Sequence, residues 1–240
     1  MAEIRVAAYT DRGTRTINED CYRYTAKEER ACFVVADGLG GHERGEVASQ
    51  TAVDYVTGHF AEMEKLTEEG ILKLLKGADE AVRAGQKEKK EMRTTIAAAF
   101  IEDECFWYAH AGDSRCYYLK NGCIYARTKD HSIPQMEVNL GDIRTEEIRF
   151  HPARNQLLKV LGNEEELLID HLEEPVFVEP GDAFLLCSDG FWEYVFETEM
   201  ELDLIKSASP KEWVEYMVKR LLLRPAPERD NFTVLAGWFA

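Results

Sequence analysis

Three apolar runs, each carrying an Asp at one end, constrain this chain more than any other feature. The first, Ala31-Cys32-Phe33-Val34-Val35-Ala36, shows no alternation, ends in Asp37, and runs on into Gly38, Gly40 and Gly41. A short unbroken apolar run is compatible with a buried helical segment, but its brevity and the glycines after it favour a central strand covered on both faces. Beyond the glycines, Val47, Ala48, Thr51, Ala52, Tyr55, Val56 and Phe60 recur at helical spacing, so a helix should pack on that strand. The second run, Ala183 to Cys187, closes with Ser188, Asp189 and Gly190. Near the C-terminus the order reverses, and Asp230 and Asn231 precede Phe232 to Trp238. If the last strand lies antiparallel to the other two, the three carboxylates meet at one edge of the sheets, where unneutralised like charges repel. A hard cation is the remedy. Oxygen ligands without a Cys or His spacing favour Mg²⁺ or Mn²⁺ over zinc.

The rest of the chain supplies a scaffold and further acids. Ile4 to Tyr9 and Cys21 to Tyr24 read as strands, and the turn-rich loop between them carries Arg15, Glu19 and Asp20. Arg15 offers a planar fork of donors suited to phosphate oxygens, against the plainer reading of a solvated charged loop. Glu68 to Lys89 has a helical apolar face. Four strands then read as an antiparallel meander: Thr94 to Ile101, Cys105 to Ala111, Arg115 to Leu119 and Cys123 to Arg127. Asn121-Gly122 is a hairpin signal. Asp113 sits in the turn His110 to Arg115, where by itself an Asp commonly bonds its own backbone. Lys129 to Gly162 is irregular and reads as a mobile flap or lid, a candidate to face substrate, against the plainer reading of a solvated excursion. Ser209-Pro210-Lys211-Glu212 opens a helix, with an N-cap Ser and Pro at the first helical position.

Composition narrows the class of function. With 240 residues, 45% hydrophobic and 31% charged, one domain with a sizeable core is expected. A net charge of −16 argues against nucleic acid, whose binders cluster Lys and Arg. No stretch approaches the roughly 20 apolar residues that span a bilayer, and the N-terminus lacks signal-peptide order, so no membrane partner and a cytoplasmic location are expected. The six cysteines contain no CxxC pair and read as reduced, mostly buried thiols.

Seven motifs in order carry a resemblance: RTINED (Arg15 to Asp20), VVADGLGGHERGE (Val34 to Glu46), MRTT (Met92 to Thr95), HAGDSR (His110 to Arg115), KDHS (Lys129 to Ser132), LLCSDGFWE (Leu185 to Glu193) and RDNFTV (Arg229 to Val234). The chain resembles the metal-dependent Ser/Thr protein phosphatases of the type 2C (PPM) family, in their compact bacterial form, over nearly its whole length. The resemblance implies an α+β fold, a four-layer α-β-β-α sandwich of two antiparallel sheets flanked by antiparallel helix pairs, in a single catalytic domain over 1–240 with a flap at about 132–151. It implies two Mn²⁺ or Mg²⁺ ions. The residue matching Asp37 bridges them, those matching Asp189 and Asp230 hold the first, and the carbonyl matching Gly38 holds the second. Residues matching Glu19 and Asp20 act through metal-bound water, and those matching Asp113 and Asp189 hold a third, weaker ion.

The reaction implied is hydrolysis of phosphoserine and phosphothreonine in proteins, opposing Ser/Thr kinases, by a hydroxide held between two divalent ions, with Arg15 on the phosphoryl oxygens. Phosphorylated proteins, a Ser/Thr protein kinase among them, are the implied partners, and the chain is expected to be a monomer. Two departures from the family pattern stand out. Leu39 replaces the His that follows Asp-Gly in the animal enzymes, leaving His42, three residues on, as candidate general acid against the plainer reading of a surface His. Arg93 stands where the family usually has Gly, shifting a strand edge or adding phosphate affinity. The rival readings are the same chemistry on one dedicated phosphorylated regulator, and a non-catalytic binding module. Retention of Asp37, Asp189 and Asp230 favours catalysis.

Overall fold

The computed structural model describes residues 3–27, 29–39, 44–86, 92–163 and 167–240. In chain order the elements are β1 Ile4–Asp11, β2 Asp20–Lys27, β3 Arg30–Leu39, α1 Gly45–Glu62, α2 Glu68–Ala84, β4 Arg93–Thr94, β5 Ile96–Glu102, β6 Cys105–Ala111, β7 Arg115–Lys120 and β8 Cys123–Arg127. There follow α3 Ile133–Leu140, a 3-10 turn Thr145–Phe150, β9 Asp170–His171, β10 Val176–Phe177, β11 Ala183–Cys187, α4 Asp189–Trp192, α5 Glu197–Lys206, α6 Pro210–Leu223 and β12 Phe232–Phe239. One antiparallel sheet runs β1-β12-β11-β7-β8, and the other β10-β6-β5-β3-β2, with β4 on β3 and β9 on β6.

The unbroken apolar runs are explained by where each face goes. On β3, Cys32, Val34 and Ala36 pack under α1 and α2, while Ala31, Phe33 and Val35 face the other sheet. On β11, Ala183, Leu185 and Cys187 pack under α5 and α6, while Phe184 and Leu186 point between the sheets. Strands covered on both sides need no polar alternation. The layer between the sheets is aromatic, with Phe33 and Phe184 meeting edge to face at 4.7 Å. The four-layer α+β sandwich expected from the sequence is the fold observed.

The meander is a correction. β5 and β6 form a hairpin in one sheet, β7 and β8 a hairpin in the other, and the chain crosses between sheets at Gly112-Asp113-Ser114. Turn residues flanked by apolar runs mark both a hairpin and a crossover, so local pattern reads the same for either. Gly112 makes the crossing possible: its φ is +105°, and a Cβ there would lie 2.7 Å from the Thr95 Cβ. The Asn121-Gly122 turn is as expected, with φ of 52° and 78°.

The expected helix from Glu68 ends at Ala84, and the part of it at 87–89 lies outside the described residues. Within 132–151 the chain forms α3, N-capped by the Ser132 hydroxyl, and the 3-10 turn. Arg149, buried, ties that turn down by donating to the carbonyls of Trp192 at 2.5 Å and Val195 at 3.3 Å. Arg93 pairs with Leu39 in the short β4 ladder. All six cysteines are unbridged.

Candidate active site

Strand register and the crossover bring the acids to one end of the sandwich. In the β2–β3 ladder Asp20 stands directly opposite Asp37. The Asp37 amide donates to Thr95 Oγ1 at 3.0 Å, and its carbonyl accepts from the Thr95 amide at 2.9 Å and from Thr94 Oγ1 at 2.8 Å. Thr95 Oγ1 in turn meets Ser114 Oγ at 2.7 Å, which ties β3 to the crossover beside buried Asp113. The Asp113 carbonyl accepts from Trp192 Nε1 at 2.9 Å. Asp189 opens α4 at the end of β11. Ser188 bridges the two sheets: its hydroxyl donates to Asp20 Oδ2 at 2.7 Å and accepts from the Thr233 amide at 2.9 Å.

The N-terminal loop is held by Asn231. Its Oδ1 accepts from the Glu19 amide at 2.8 Å, and its Nδ2 donates to the carbonyls of Arg12 and Ile17, both at 3.0 Å. Gly38 lies under the start of α1 with no space for a side chain, since a Cβ there would lie 2.2 Å from the Gly45 carbonyl oxygen. The Gly38 amide donates to the Glu19 carbonyl at 3.1 Å, which fixes Glu19 beside the strand end.

Burial and mutual repulsion suit the cluster to a cation. Burial pushes the Asp37 carboxyl well above its usual range, and the charges of Asp20, Asp189 and Asp113 push the same way. Burial, then Asp189 and Asp130, raise Asp113 well up, with Arg115 opposing. Burial lifts Asp20 to about 7 against the bond from Ser188, and lifts Asp189 to about 6 with Asp230 adding to it. Glu193 rises to about 7 through burial and Asp189, against its 2.6 Å pair with Arg154. Asp20 Oδ1 is buried without a hydrogen-bond partner. A set of crowded, desolvated carboxylates with an unpartnered oxygen and no nitrogen or sulfur donor fits hard divalent ions such as Mg²⁺ or Mn²⁺.

The structure therefore brings together Glu19, Asp20, Asp37, Gly38, Asp113 and Asp189, each of which has another of the set as an electrostatic or hydrogen-bonded neighbour. Asp230 joins them, raising both Asp20 and Asp189, but it is also clamped. Arg15 Nε and a terminal nitrogen donate to its two oxygens at 2.9 and 2.6 Å. The fork expected to face phosphate thus grips an acid, with the Arg15 side chain still 60% exposed. His42 lies outside the described residues. Sequence reasoning missed the supports: Thr94, Thr95, Ser114 and Ser188. All four lie inside the quoted motifs, next to an acid or one strand over, and that adjacency was the available signal.

A second missed layer is a buried ionic cluster behind Asp113. Arg115 donates from Nε and a terminal nitrogen to the two oxygens of Asp130 at 2.8 and 2.7 Å, and its guanidinium stacks on Trp192 at 3.5 Å. Trp192 is the residue that bonds the Asp113 carbonyl.

Crowded carboxylates at the mouth of a two-sheet sandwich flanked by helices define a site for hard divalent ions. Residues 10–226 match protein phosphatase 2C, and the chain belongs to that family. It is 36% identical to the serine/threonine phosphatase Stp of Listeria monocytogenes, covering 94% of this chain and 92% of that one. The solved structure of the Mycobacterium tuberculosis serine/threonine phosphatase PstP/Ppp superposes with a TM-score of 0.80 at 31% identity, over 98% of both chains. The catalytic domain of PstP in complex with two manganese ions superposes at 0.78 with 29% identity, over 98% of this chain and 97% of that one. Among the described residues no helix is long and apolar enough to cross a membrane.

Proposed function

We infer that this chain hydrolyses phosphoserine and phosphothreonine in proteins, opposing Ser/Thr kinases in a bacterial cytoplasm, and that it works as a monomer in one catalytic domain. The observation that carries this reading is the meeting of Asp20 and Asp37 from one sheet with Asp189, which follows β11 of the other, and Asp113 from the crossover between them. Asp37, the Gly38 carbonyl, Asp189 and Asp230 would hold two Mn²⁺ or Mg²⁺ ions, Glu19 and Asp20 would act through water, and Asp113 with Asp189 would hold a third. When bound, such ions neutralise phosphoryl oxygens and acidify a water for attack on phosphorus.

The chain's own contribution is positioning. Thr94 and Thr95 hold both the amide and the carbonyl of Asp37, which fixes its backbone at the sheet edge. Ser188 holds Asp20 toward β11. Arg15 is exposed enough to turn from Asp230 to a phosphoryl group and present the same bidentate fork. His42 would protonate the departing serine or threonine alkoxide. Resemblance to a phosphatase named for serine and threonine supports the choice of substrate.

The test is phosphate release from a mixed set of phospho-Ser, phospho-Thr and phospho-Tyr peptides, with and without Mn²⁺, for wild type and Asp37→Ala. Turnover from the Ser and Thr peptides, dependent on Mn²⁺ and abolished by Asp37→Ala, is expected. Metal-independent turnover, or full activity in Asp37→Ala, overturns the reading.

A further inference from the structure

Among the described residues, one set of three His, Cys, Asp or Glu side chains offers ligand atoms all within 4.8 Å of one another, and it contains none of the acids above: His110, His131 and Asp170. We propose that these three side chains form a second metal site, of a different class, for a borderline divalent ion such as Zn²⁺.

Three elements build it. His110 lies on β6 and Asp170 on β9, and the β6–β9 ladder sets the two directly opposite each other, so their side chains share a face of the sheet. His131 comes from the segment after β8. Its amide donates to the Gly112 carbonyl at 2.9 Å and its carbonyl accepts from the Leu158 amide at 2.7 Å, which pins it from both sides. Its ring stacks on that of His110 with centroids 4.6 Å apart. Its Nε2 lies 3.4 Å from Asp170 Oδ2.

Hydrogen bonding prepares the nitrogens. His110 is buried, and its Nε2 lies 2.8 Å from the Lys129 carbonyl, an oxygen that can only accept. The ring proton therefore sits on Nε2, and the Nδ1 lone pair is left over. Among the described residues that Nδ1 is buried with no partner, and the one side-chain group that meets the buried His131 Nε2 is the Asp170 carboxylate at 3.4 Å. A backbone carbonyl that fixes the tautomer of an imidazole whose other nitrogen is unpaired is the usual outer shell of a metal-bound histidine. For His131 to ligate through Nε2, its proton moves to Nδ1, which gives up the long 3.3 Å contact from the Gly112 amide and exchanges the 3.4 Å contact with Asp170 for a shared ion. Two imidazoles and one carboxylate suit Zn²⁺ and its late first-row neighbours rather than Mg²⁺. Asp170 is half-exposed and opens onto a cavity of about 570 Å³ that His110, Lys129 and His171 also line, so an ion has a path in and room for water to complete its shell.

Co²⁺ serves as a visible probe. Chelator-stripped full-length protein is titrated with Co²⁺ under a large excess of Mg²⁺, which occupies oxygen sites and competes poorly for imidazole. Expected are one tight equivalent of Co²⁺ with absorption bands of nitrogen ligation, their loss on adding Zn²⁺, abolition in His131→Ala, and weakening by roughly tenfold or more in Asp170→Asn. Asp170→Asn sits on a half-exposed edge and folds even if His131→Ala does not. Asp37→Ala, which removes the central acid of the other site, should leave the bands intact. No uptake under Mg²⁺, uptake unaltered in Asp170→Asn, or uptake lost in Asp37→Ala would each overturn the site, leaving the trio a hydrogen-bonded network only.

Discussion

Asp130→Asn tests how the active-site end of the sandwich is held. The Asp130 carboxylate takes both prongs of the Arg115 fork, and side-chain exposure is 2% for Arg115 and 1% for Asp130. An amide oxygen can accept one prong, but the guanidinium then stays charged and buried without its bidentate counter-charge. Breaking a buried pair from one side costs about 3–5 kcal/mol, far more than the pair contributes over a well-packed apolar substitute. Arg115 keeps Glu197 at 3.3 Å, the Tyr117 hydroxyl at 3.1 Å and the Trp192 face, so the lower end applies. A loss of about 3 kcal/mol is expected in urea unfolding, or on the order of 10 °C in Tm for a chain of this size. The paired change Arg115→Met with Asp130→Leu removes both charges and should recover most of that loss. A single variant within about 1 kcal/mol of wild type, or a double variant as unstable as the single, would refute the argument that an uncompensated charge is the cause. Because Trp192 both stacks on Arg115 and bonds the Asp113 carbonyl, the single variant should also need more Mn²⁺ for half-maximal turnover.

Arg15→Ala should free Asp230 for a cation, lowering the Mn²⁺ needed for half-maximal rate by several-fold while raising KM for phosphopeptide, and no change in either would show that the clamp and the fork are idle. Burial pushes the Glu197 carboxyl up, but Arg149, Arg115 and Arg127 outweigh it and hold it below its ordinary range. A depressed acid contributes stability above its unfolded pKa and loses it as pH falls through the folded one, so Glu197→Gln should be less stable than wild type at neutral pH, the gap closing below about pH 4. A gap independent of pH in urea titrations would contradict this. Gly38→Ala puts a methyl against two backbone oxygens, of Gly45 at 2.2 Å and Glu19 at 2.8 Å, neither of which can rotate away. A cost of about 1–3 kcal/mol is expected, with weaker Mn²⁺ binding measured by calorimetry, and wild-type values for both would mean the start of α1 yields freely.

What could be read from the residues, and what could not, divides along a physical line. Burial and phase are local: Ala31 to Ala36 and Ala183 to Cys187 announce strands covered on both faces, and Ser209-Pro210 announces a helix start, which the Ser209 hydroxyl does cap at the Glu212 amide. The acids were legible because each sits where a strand begins or ends, and an antiparallel sandwich gathers such ends. Partner choice is not local. Nothing around Gly112 distinguishes a hairpin turn from a passage between sheets, yet that passage puts Asp113 within electrostatic reach of Asp37 and Asp189.

Long-range pairing also decides which polar side chains are spare. Arg15 and Asp230 lie far apart in sequence and find each other only when β1 and β12 pair, so the donor read as waiting for phosphate meets an acid first. His110 and Asp170 meet through the two-residue strand β9, too short to carry a period of its own. The same sandwich end therefore holds carboxylates that sequence order predicts and an imidazole pair that it does not. Hardness then separates them: crowded oxygens discriminate toward Mg²⁺ and Mn²⁺, neutral nitrogens toward Zn²⁺, and one chain can hold both kinds of ion without either set having to exclude the other by shape.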